Sequence, residues 1–169
     1  LTYEQVSISY QERPVVENIS FSLKPGEILG IAGESGSGKS SVLWAAMGIL
    51  GPGGSVSGGG ICFRGHGMSR MSREELRRIR GGEIGMIFQD AKASFCPVRT
   101  IGDQIYESLS AHEKISRKDS DDRARELFEK IGLKNGRNIL ESYPFELSGG
   151  MNQRAGIACA MISRPSVLL

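Results

Sequence analysis

The sequence predicts an α/β protein with antiparallel strands near its start, buried strands beside them and a run of helices further on. Residues 4–10 and 17–23 alternate apolar and polar side chains, as half-exposed antiparallel strands do. Residues 27–33 form a nearly continuous apolar run, which is typical of a strand buried on both faces. From residue 100 the pattern becomes helical, with residues 124, 127, 128 and 131 on one apolar face.

The other elements follow from local signals in chain order. Ser72 and Glu75 have the spacing of a capping box at the start of a short helix. Ser116 precedes acidic residues and Gly132 follows the apolar face, so both ends of that helix are marked. Helices are predicted at residues 39–50, 72–80, 100–112, 116–132 and 148–163. Strands are predicted at residues 58–65 and 83–90 and from residue 166 onward, and residues 51–60 are predicted to be a glycine-rich loop.

Composition limits the classes of protein that this chain can represent. Its 169 residues are enough for one domain with a core, and its net charge of +2 indicates no strong electrostatic partner. Three widely spaced cysteines argue against a disulfide framework or a zinc site. No apolar run reaches 18 residues. Residue 1 is not Met and residues 167–169 are apolar, so we expect both ends to lie inside a longer chain.

The stretch GESGSGKSS at residues 33–41 fits the pattern G-x-x-x-x-G-K-[ST] of a phosphate-binding loop. A predicted strand precedes it and a predicted helix follows it, which is the setting that its mechanism requires. Gly36 and Gly38 allow backbone N–H groups to converge on phosphate oxygens, and the helix N-terminus adds partial positive charge. Lys39 is expected to reach the β- and γ-phosphates and the Ser40 hydroxyl to bind Mg²⁺.

A second glycine-rich turn, ELSGGMNQR at residues 146–154, also stands before a helix. Ser148 occupies an N-cap position, and Gly149 and Gly150 open the helix, so a hydroxyl and free N–H groups face an anion. Taken alone, such a turn is often an ordinary capped helix start. One chain with two anion-binding turns raises the question of what the second one binds.

Together these motifs resemble those of ATP-binding-cassette (ABC) ATPases. LSGGMNQR resembles the family's signature motif and GESGSGKSS its Walker A loop. Gln89 in MIFQD resembles the Q-loop glutamine, and Tyr10, 23 positions before Gly33, matches the aromatic residue that stacks on adenine. The resemblance implies a P-loop NTPase (RecA-like) core with an antiparallel β subdomain and an inserted α-helical subdomain, incomplete at the C-terminus. It also implies a division into residues 1–93 (core and β subdomain), 94–163 (helical subdomain with the signature) and 164–169 (start of the Walker B strand).

The resemblance implies ATP and Mg²⁺ as cofactors and assigns a role to each motif. Ser40 and Gln89 would contact Mg²⁺, and Gln89, the one catalytic residue assigned, would help to orient water. The remaining residues implied to bind the cofactor are Tyr10, Gly33, Ser35, Gly36, Ser37, Gly38, Lys39, Ser40 and Ser41 in this chain and, toward the ATP of a second subunit, Ser148, Gly149, Gly150 and Gln153.

The implied partner is a second ABC ATPase subunit, the same chain or a paralogue, packed head to tail. Sequence detail is similar to ATPases of bacterial dipeptide, oligopeptide and nickel importers, although Ala91, Phe95, Cys96 and Asn152 depart from their usual residues. The resemblance further implies membrane permease subunits as partners and a solute-binding protein as an indirect one. It implies a peripheral location at the cytoplasmic face of the inner membrane, and no nucleic acid is expected. Phe95 and Val98 fit either docking or simple packing.

The family's Walker B Asp, catalytic Glu and switch His are not among these residues, and neither His66 nor His112 suits the switch role. We therefore expect weak ATP binding, little hydrolysis and apolar surface exposed on residues 27–33. With such a surface exposed, we expect a poorly behaved monomer, a rearranged fold or an oligomer. Two other interpretations stay open. One is a non-transport cassette for DNA repair or translation, for which residues 69–80 offer either a basic patch or, through Glu74 and Glu75, an ordinary solvated helix face; the other is a non-enzymatic fragment.

Overall fold

The computed structural model describes every residue from Leu1 to Leu169. The chain forms two compact units, Leu1–Leu76 and Arg77–Leu169. The structure has helical and β regions of the kind that the sequence predicts. None of its helices combines the length and the apolar character that crossing a membrane requires.

The first unit contains an antiparallel sheet of four strands in the order β2-β1-β3-β4. The strands are β1 (Thr2–Tyr10), β2 (Arg13–Ser22), β3 (Gly54–Phe63) and β4 (His66–Gly67). The two predicted antiparallel strands are confirmed, and they pair with each other as Thr2↔Ser22 and Tyr10↔Arg13. The strand predicted at residues 58–65 is confirmed within β3, but the loop predicted at residues 51–60 was wrong from residue 54 onward. There β1 supplies a pairing partner that overrides the poor strand propensity of glycine.

Helix α1 (Lys39–Met47) packs on this sheet and ends at Gly48, which has φ +59°. Buried Tyr3 joins the two layers: its ring stacks on Phe21 with centroids 4.3 Å apart, and its O–H donates to the Val42 carbonyl at 2.6 Å. Burial raises the pKa of the Tyr3 hydroxyl, an effect that a hydrogen bond with the Ala46 backbone only partly offsets. The phenol therefore stays a neutral donor that fixes α1 against β1.

The buried strand predicted at residues 27–33 was wrong. The segment forms no strand, and its apolar side chains are exposed, with Ile28 fully open to solvent and Leu29 46% exposed. The exposure of apolar surface here agrees with the expectation stated above. A strand needs a neighbour for its backbone N–H and C=O groups, and no strand of the structure pairs with this segment.

Helix α2 (Arg73–Ile79) crosses the boundary between the units in the chain. Its predicted capping box is confirmed: the Ser72 N–H donates to Glu75 Oε2 at 2.7 Å, and the Glu75 N–H donates to Ser72 Oγ at 3.3 Å. After it, the predicted strands at 83–90 and from 166 are present only as two-residue segments, β5 (Ile84–Gly85) and β6 (Val167–Leu168), which pair in parallel. Ile84 is fully buried, whereas Leu168 is 42% exposed.

The rest of the second unit is helical. Predicted helices are confirmed as α4 (Ile101–Ser110), α5 (Arg117–Lys130) and α7 (Gly149–Met161). Two short ones, α3 (Ala91–Ser94) and α6 (Gly136–Glu141), were missed because four or six residues cannot display a helical period. Phe95 is 8% exposed and belongs to the packed core, whereas Val98 is 78% exposed. The core of this unit comprises Phe95, Ile101, Ile105, Leu109, Ala124, Phe128, Leu133, Ile139, Leu140, Leu147, Ala155, Ala158 and Ile162.

Candidate functional site

The phosphate loop lies in the first unit, where residues 33–38 lead from the exposed segment into α1. A turn closes it, with the Ser37 N–H donating to the Glu34 carbonyl at 3.2 Å. Gly36 and Gly38 have φ values of +83° and +85°, which suit glycine far better than other residues. A Cβ at Gly38 would also lie 2.6 Å from Val16 Cγ2. The sequence therefore uses glycine at 38 for both conformation and close packing on β2.

Lys39 directs positive charge at the loop. Its Nζ donates to the Gly33 carbonyl at 2.8 Å and to the Glu34 carbonyl at 2.5 Å. Helix α1 has no side-chain N-cap and no acidic residue in its first turn, so its first N–H groups and its positive dipole end face outward. Ser40 is exposed in that turn. Residues 33–40 thus contribute an ammonium, open N–H groups and an exposed hydroxyl, which suit phosphate oxygens.

Tyr10 comes close to this loop from the end of β1. Its hydroxyl lies 3.5 Å from Oγ of buried Ser41 in the first turn of α1. Its ring lies against Gly54, where a Cβ would come within 2.7 Å of Tyr10 Cε1. The structure therefore brings Tyr10 and the phosphate-loop helix together, and the adenine-stacking role remains a prediction.

Gln89 and the signature turn belong to the second unit. Gln89 is exposed and stands directly before α3, whose N-cap Asp90 accepts a hydrogen bond from the Ala93 N–H at 3.0 Å. The shared contact of Gln89 and Ser40 with Mg²⁺ remains a prediction. No group of three or more His, Cys, Asp or Glu side chains is arranged to hold a metal ion. Mg²⁺ held mainly by phosphates and one or two protein oxygens needs no such group.

The signature turn has the geometry that its sequence predicts for a helix start. Ser148 is the N-cap of α7, and its Oγ accepts from the Met151 N–H at 3.3 Å. Gly149 and Gly150 are exposed, and a Cβ at Gly149 would meet nothing within 4 Å. Gln153 is exposed on the next turn of α7. The turn therefore offers open N–H groups at a helix N-terminus, with free space in front of them.

Two further side chains that sequence reasoning missed hold this turn in place. Arg154 donates from Nε to the Gly150 carbonyl at 3.2 Å and from Nη1 to the Gly132 carbonyl at 3.0 Å, joining α7 to the end of α5. Asn152, 1% exposed, donates to three carbonyls just before the helix. In the sequence, Asn152 could have been singled out because it lies three residues before Ala155, on the inward face of α7.

Comparison with known proteins gives the family. The family model described as "ABC transporter" matches residues 16–169. The dipeptide transport ATP-binding protein DppD of Escherichia coli is 41% identical over 154 residues, which are 91% of this chain and 47% of that protein. The oligopeptide transport ATP-binding protein OppD of the same organism is 38% identical over 91% of this chain and 45% of its own length. The chain thus spans about half the length of the curated relatives that it matches.

Solved structures show the same architecture. A dimeric structure of the ATP-binding cassette MJ0796, in a post-hydrolysis state bound to ADP and Pi, matches with a TM-score of 0.85 and 26% identity. The match covers 99% of this chain and 71% of that one. The α/β fold with a P-loop core, an antiparallel β region and a helical region, as predicted from the sequence, is thereby confirmed. The motifs, the fold and the family model agree: this chain belongs to the ABC transporter family.

Proposed function

We propose that this chain is the nucleotide-binding part of an ABC ATPase that couples ATP binding and hydrolysis to the import of peptides. The observation that carries the proposal is the phosphate loop, in which the Lys39 ammonium contacts the Gly33 and Glu34 carbonyls beside the uncapped start of α1. Peptides are favoured over nickel because the relatives reported above, at 38% and 41% identity, are named for oligopeptides and dipeptides.

ATP would bind with its phosphates on residues 33–41 and its adenine against Tyr10. Lys39, which now contacts two loop carbonyls, would turn its ammonium to the β- and γ-phosphates. Mg²⁺, held by Ser40 and Gln89, would supply charge neutralisation between the phosphates. Gln89 would orient the attacking water. Tyr10, Lys39, Ser40 and Gln89 are exposed or half-buried, whereas Ser41 is buried in the first turn of α1, so a nucleotide can reach those four without unfolding of either unit.

The signature turn would bind the ATP of a second subunit. The turn is open and carries no acidic residue in its first helical turn, so it suits the phosphates of a nucleotide held elsewhere. The related cassette MJ0796 is dimeric in its solved structures, which supports a head-to-tail pair here. In such a pair each nucleotide would lie between the phosphate loop of one subunit and Ser148, Gly149, Gly150 and Gln153 of the other.

The helical subdomain, proposed as residues 94–163, would pass movement at Gln89 to membrane permease subunits. Val98, 78% exposed at the start of this region, is available for docking, whereas Phe95 serves the core. The subunit would lie at the cytoplasmic face of the inner membrane as a peripheral protein, and a solute-binding protein would act with it only indirectly. The core and β subdomain are proposed to comprise residues 1–93, and residues 164–169 the start of the Walker B strand.

Nucleotide titration of the purified protein tests the phosphate-loop assignment. Trp44, the only tryptophan, lies in α1, so its fluorescence reports binding beside the loop. Lys39→Ala is expected to weaken Mg·ATP binding roughly 10- to 100-fold, because a hydrogen-bonded charge is lost. Lys24→Ala, an exposed lysine in a turn of the same unit, is the matched control and should bind normally. Equal affinity of the Lys39→Ala variant and the wild type would contradict the assignment.

A further inference from the structure

Asn152 is a buried polar residue one helical turn after Ser148. Its side chain is 1% exposed, and its Nδ2 donates to the carbonyls of Pro144 at 2.9 Å, Leu147 at 3.1 Å and Ser148 at 3.3 Å. Its Oδ1 is buried with no hydrogen-bond partner. A flipped amide would set that oxygen against three carbonyl oxygens, so the contacts determine the orientation of the group.

The three acceptors lie along the backbone that delivers the signature turn. Pro144 begins a short 3₁₀ turn, Pro144–Glu146, and Leu147 follows it. The side chains of Pro144 and Leu147 are buried, whereas Ser148 and Gly149 are exposed. Asn152 therefore connects the core of the unit to the point at which the chain turns outward. Burying Oδ1 without a hydrogen-bond partner costs free energy, and the three hydrogen bonds that Nδ2 donates offset that cost.

We infer that Asn152 is a positioning residue for the signature turn. Its amide fixes the backbone between Pro144 and Ser148, so that the Ser148 hydroxyl and the N–H groups of Gly149 and Gly150 face outward together. Asn152 does not touch the nucleotide; it sets the affinity of the turn for the phosphates carried by a second subunit. The inference rests on the proposed function, in which that turn completes a partner's ATP site.

Asn152→Asp is the test, because it keeps the shape of the side chain and removes both N–H donors. Two measurements are made: Mg·ATP binding through Trp44 fluorescence and ATP-dependent self-association by sedimentation. The variant is expected to bind ATP within about 2-fold of the wild type and to associate roughly 10-fold more weakly. Asn138→Asp makes the same chemical change at an exposed site on α6 and should alter neither measurement. A residue needed only for folding would change both measurements together.

Association of Asn152→Asp at wild-type strength would overturn the inference, as would an equal loss of ATP binding and association. A wild-type protein that binds ATP and never associates would instead overturn the proposed function. A third measurement uses the wild type alone, so it remains informative if the protein does not associate or if the variant does not fold. The side-chain amide protons of Asn152 should exchange with solvent about 100-fold more slowly than those of exposed Asn138, and equal exchange rates would refute the inferred contacts.

Discussion

Gly38→Ala is the substitution whose cost the structure defines best. Gly38 has φ +85°, and an added Cβ would lie 2.6 Å from Val16 Cγ2, 3.1 Å from Val15 Cγ1 and 3.2 Å from the Val15 carbonyl oxygen. The left-handed conformation costs a non-glycine residue roughly 1–2 kcal/mol. Crowding against a strand that must shift adds about 1–3 kcal/mol. The free energy of unfolding should therefore fall by about 2–5 kcal/mol, a large part of the 5–15 kcal/mol typical of a domain.

Gly36→Ala separates the two contributions. Gly36 has nearly the same conformation, φ +83°, but a Cβ there would meet nothing within 4 Å. Its substitution should cost only the conformational part, about 1–2 kcal/mol. Restriction of the unfolded chain by alanine is the same at both positions, so it cancels in the comparison. The difference between the variants measures the packing of the loop against β2.

Urea denaturation followed through Trp44 fluorescence is the assay, because this single tryptophan lies in α1 directly after the loop. The unfolding midpoint of Gly38→Ala should lie clearly below that of Gly36→Ala, and both should lie below the wild type. If the two variants unfolded at the same urea concentration, the close approach of residue 38 to Val16 would not be a property of the folded protein, and the packing argument would fail.

Two further substitutions test the helical unit. Phe128→Ala removes a fully buried ring from its core and should lower the free energy of unfolding by about 3–5 kcal/mol, measured by urea denaturation followed by circular dichroism; a loss below about 1 kcal/mol would contradict the core assignment. Asp103→Asn removes the carboxylate that accepts from Arg117 Nη1 at 2.6 Å; this hydrogen bond, more than the weaker contributions, holds the pKa of Asp103 below its usual value. Because the folded pKa is the lower one, the carboxylate stabilises the fold above its unfolded pKa of about 3.9 and the benefit is lost as the pH falls through the folded pKa. Both groups are more than 40% exposed, so the variant should lose no more than about 0.5 kcal/mol at pH 7. This difference from the wild type should shrink as the pH falls below the unfolded pKa, and a difference that stayed constant with falling pH would refute the linkage.

Local sequence rules predicted most of the helices and their ends. Ser116 and Ser148 each cap a helix as predicted, because an N-cap depends only on the residues that follow it. The same holds for Ser72 and Glu75. Thr100, where a helix was predicted to begin, also proves to be an N-cap. Helix α6 was not predicted because it is short and because its N-cap, Asn135, has φ +61°, a conformation that no periodic pattern indicates.

Strands were harder to predict because their hydrogen bonds join distant residues. A strand was predicted from residue 58, but residues 54–57, the start of β3, were expected to be loop. They pair with β1 more than 40 residues earlier in the chain, and no local feature of these residues indicates that partner. Residues 27–33 show the reverse case, a strand-like sequence with no neighbouring strand. The intrinsic strand preference of the residues therefore did not determine the secondary structure of either segment.

The residues of the candidate site also differ in how far local sequence could predict them. The phosphate loop is contiguous, so its residues, their glycine conformations and the following helix could be predicted together. The roles proposed for Gln89 and for the signature turn involve groups outside their own segments, which local patterns do not encode. Asn152 is an intermediate case, since its three acceptors are four to eight residues away but become partners only through the 3₁₀ turn.

Mixing two inactive variants tests most directly whether the two glycine-rich turns serve nucleotides on different subunits. Lys39→Ala damages only the phosphate loop, and Ser148→Arg blocks only the signature turn, so neither variant alone should form an ATP-dependent dimer. A mixed dimer has one complete site, made by the phosphate loop of the Ser148→Arg subunit and the signature turn of the Lys39→Ala subunit. Sedimentation of the mixture with Mg·ATP should therefore show dimers that retain about one nucleotide each, against about two in the wild type. A mixture that stayed monomeric while the wild type dimerised would show that both turns act on the nucleotide of their own chain.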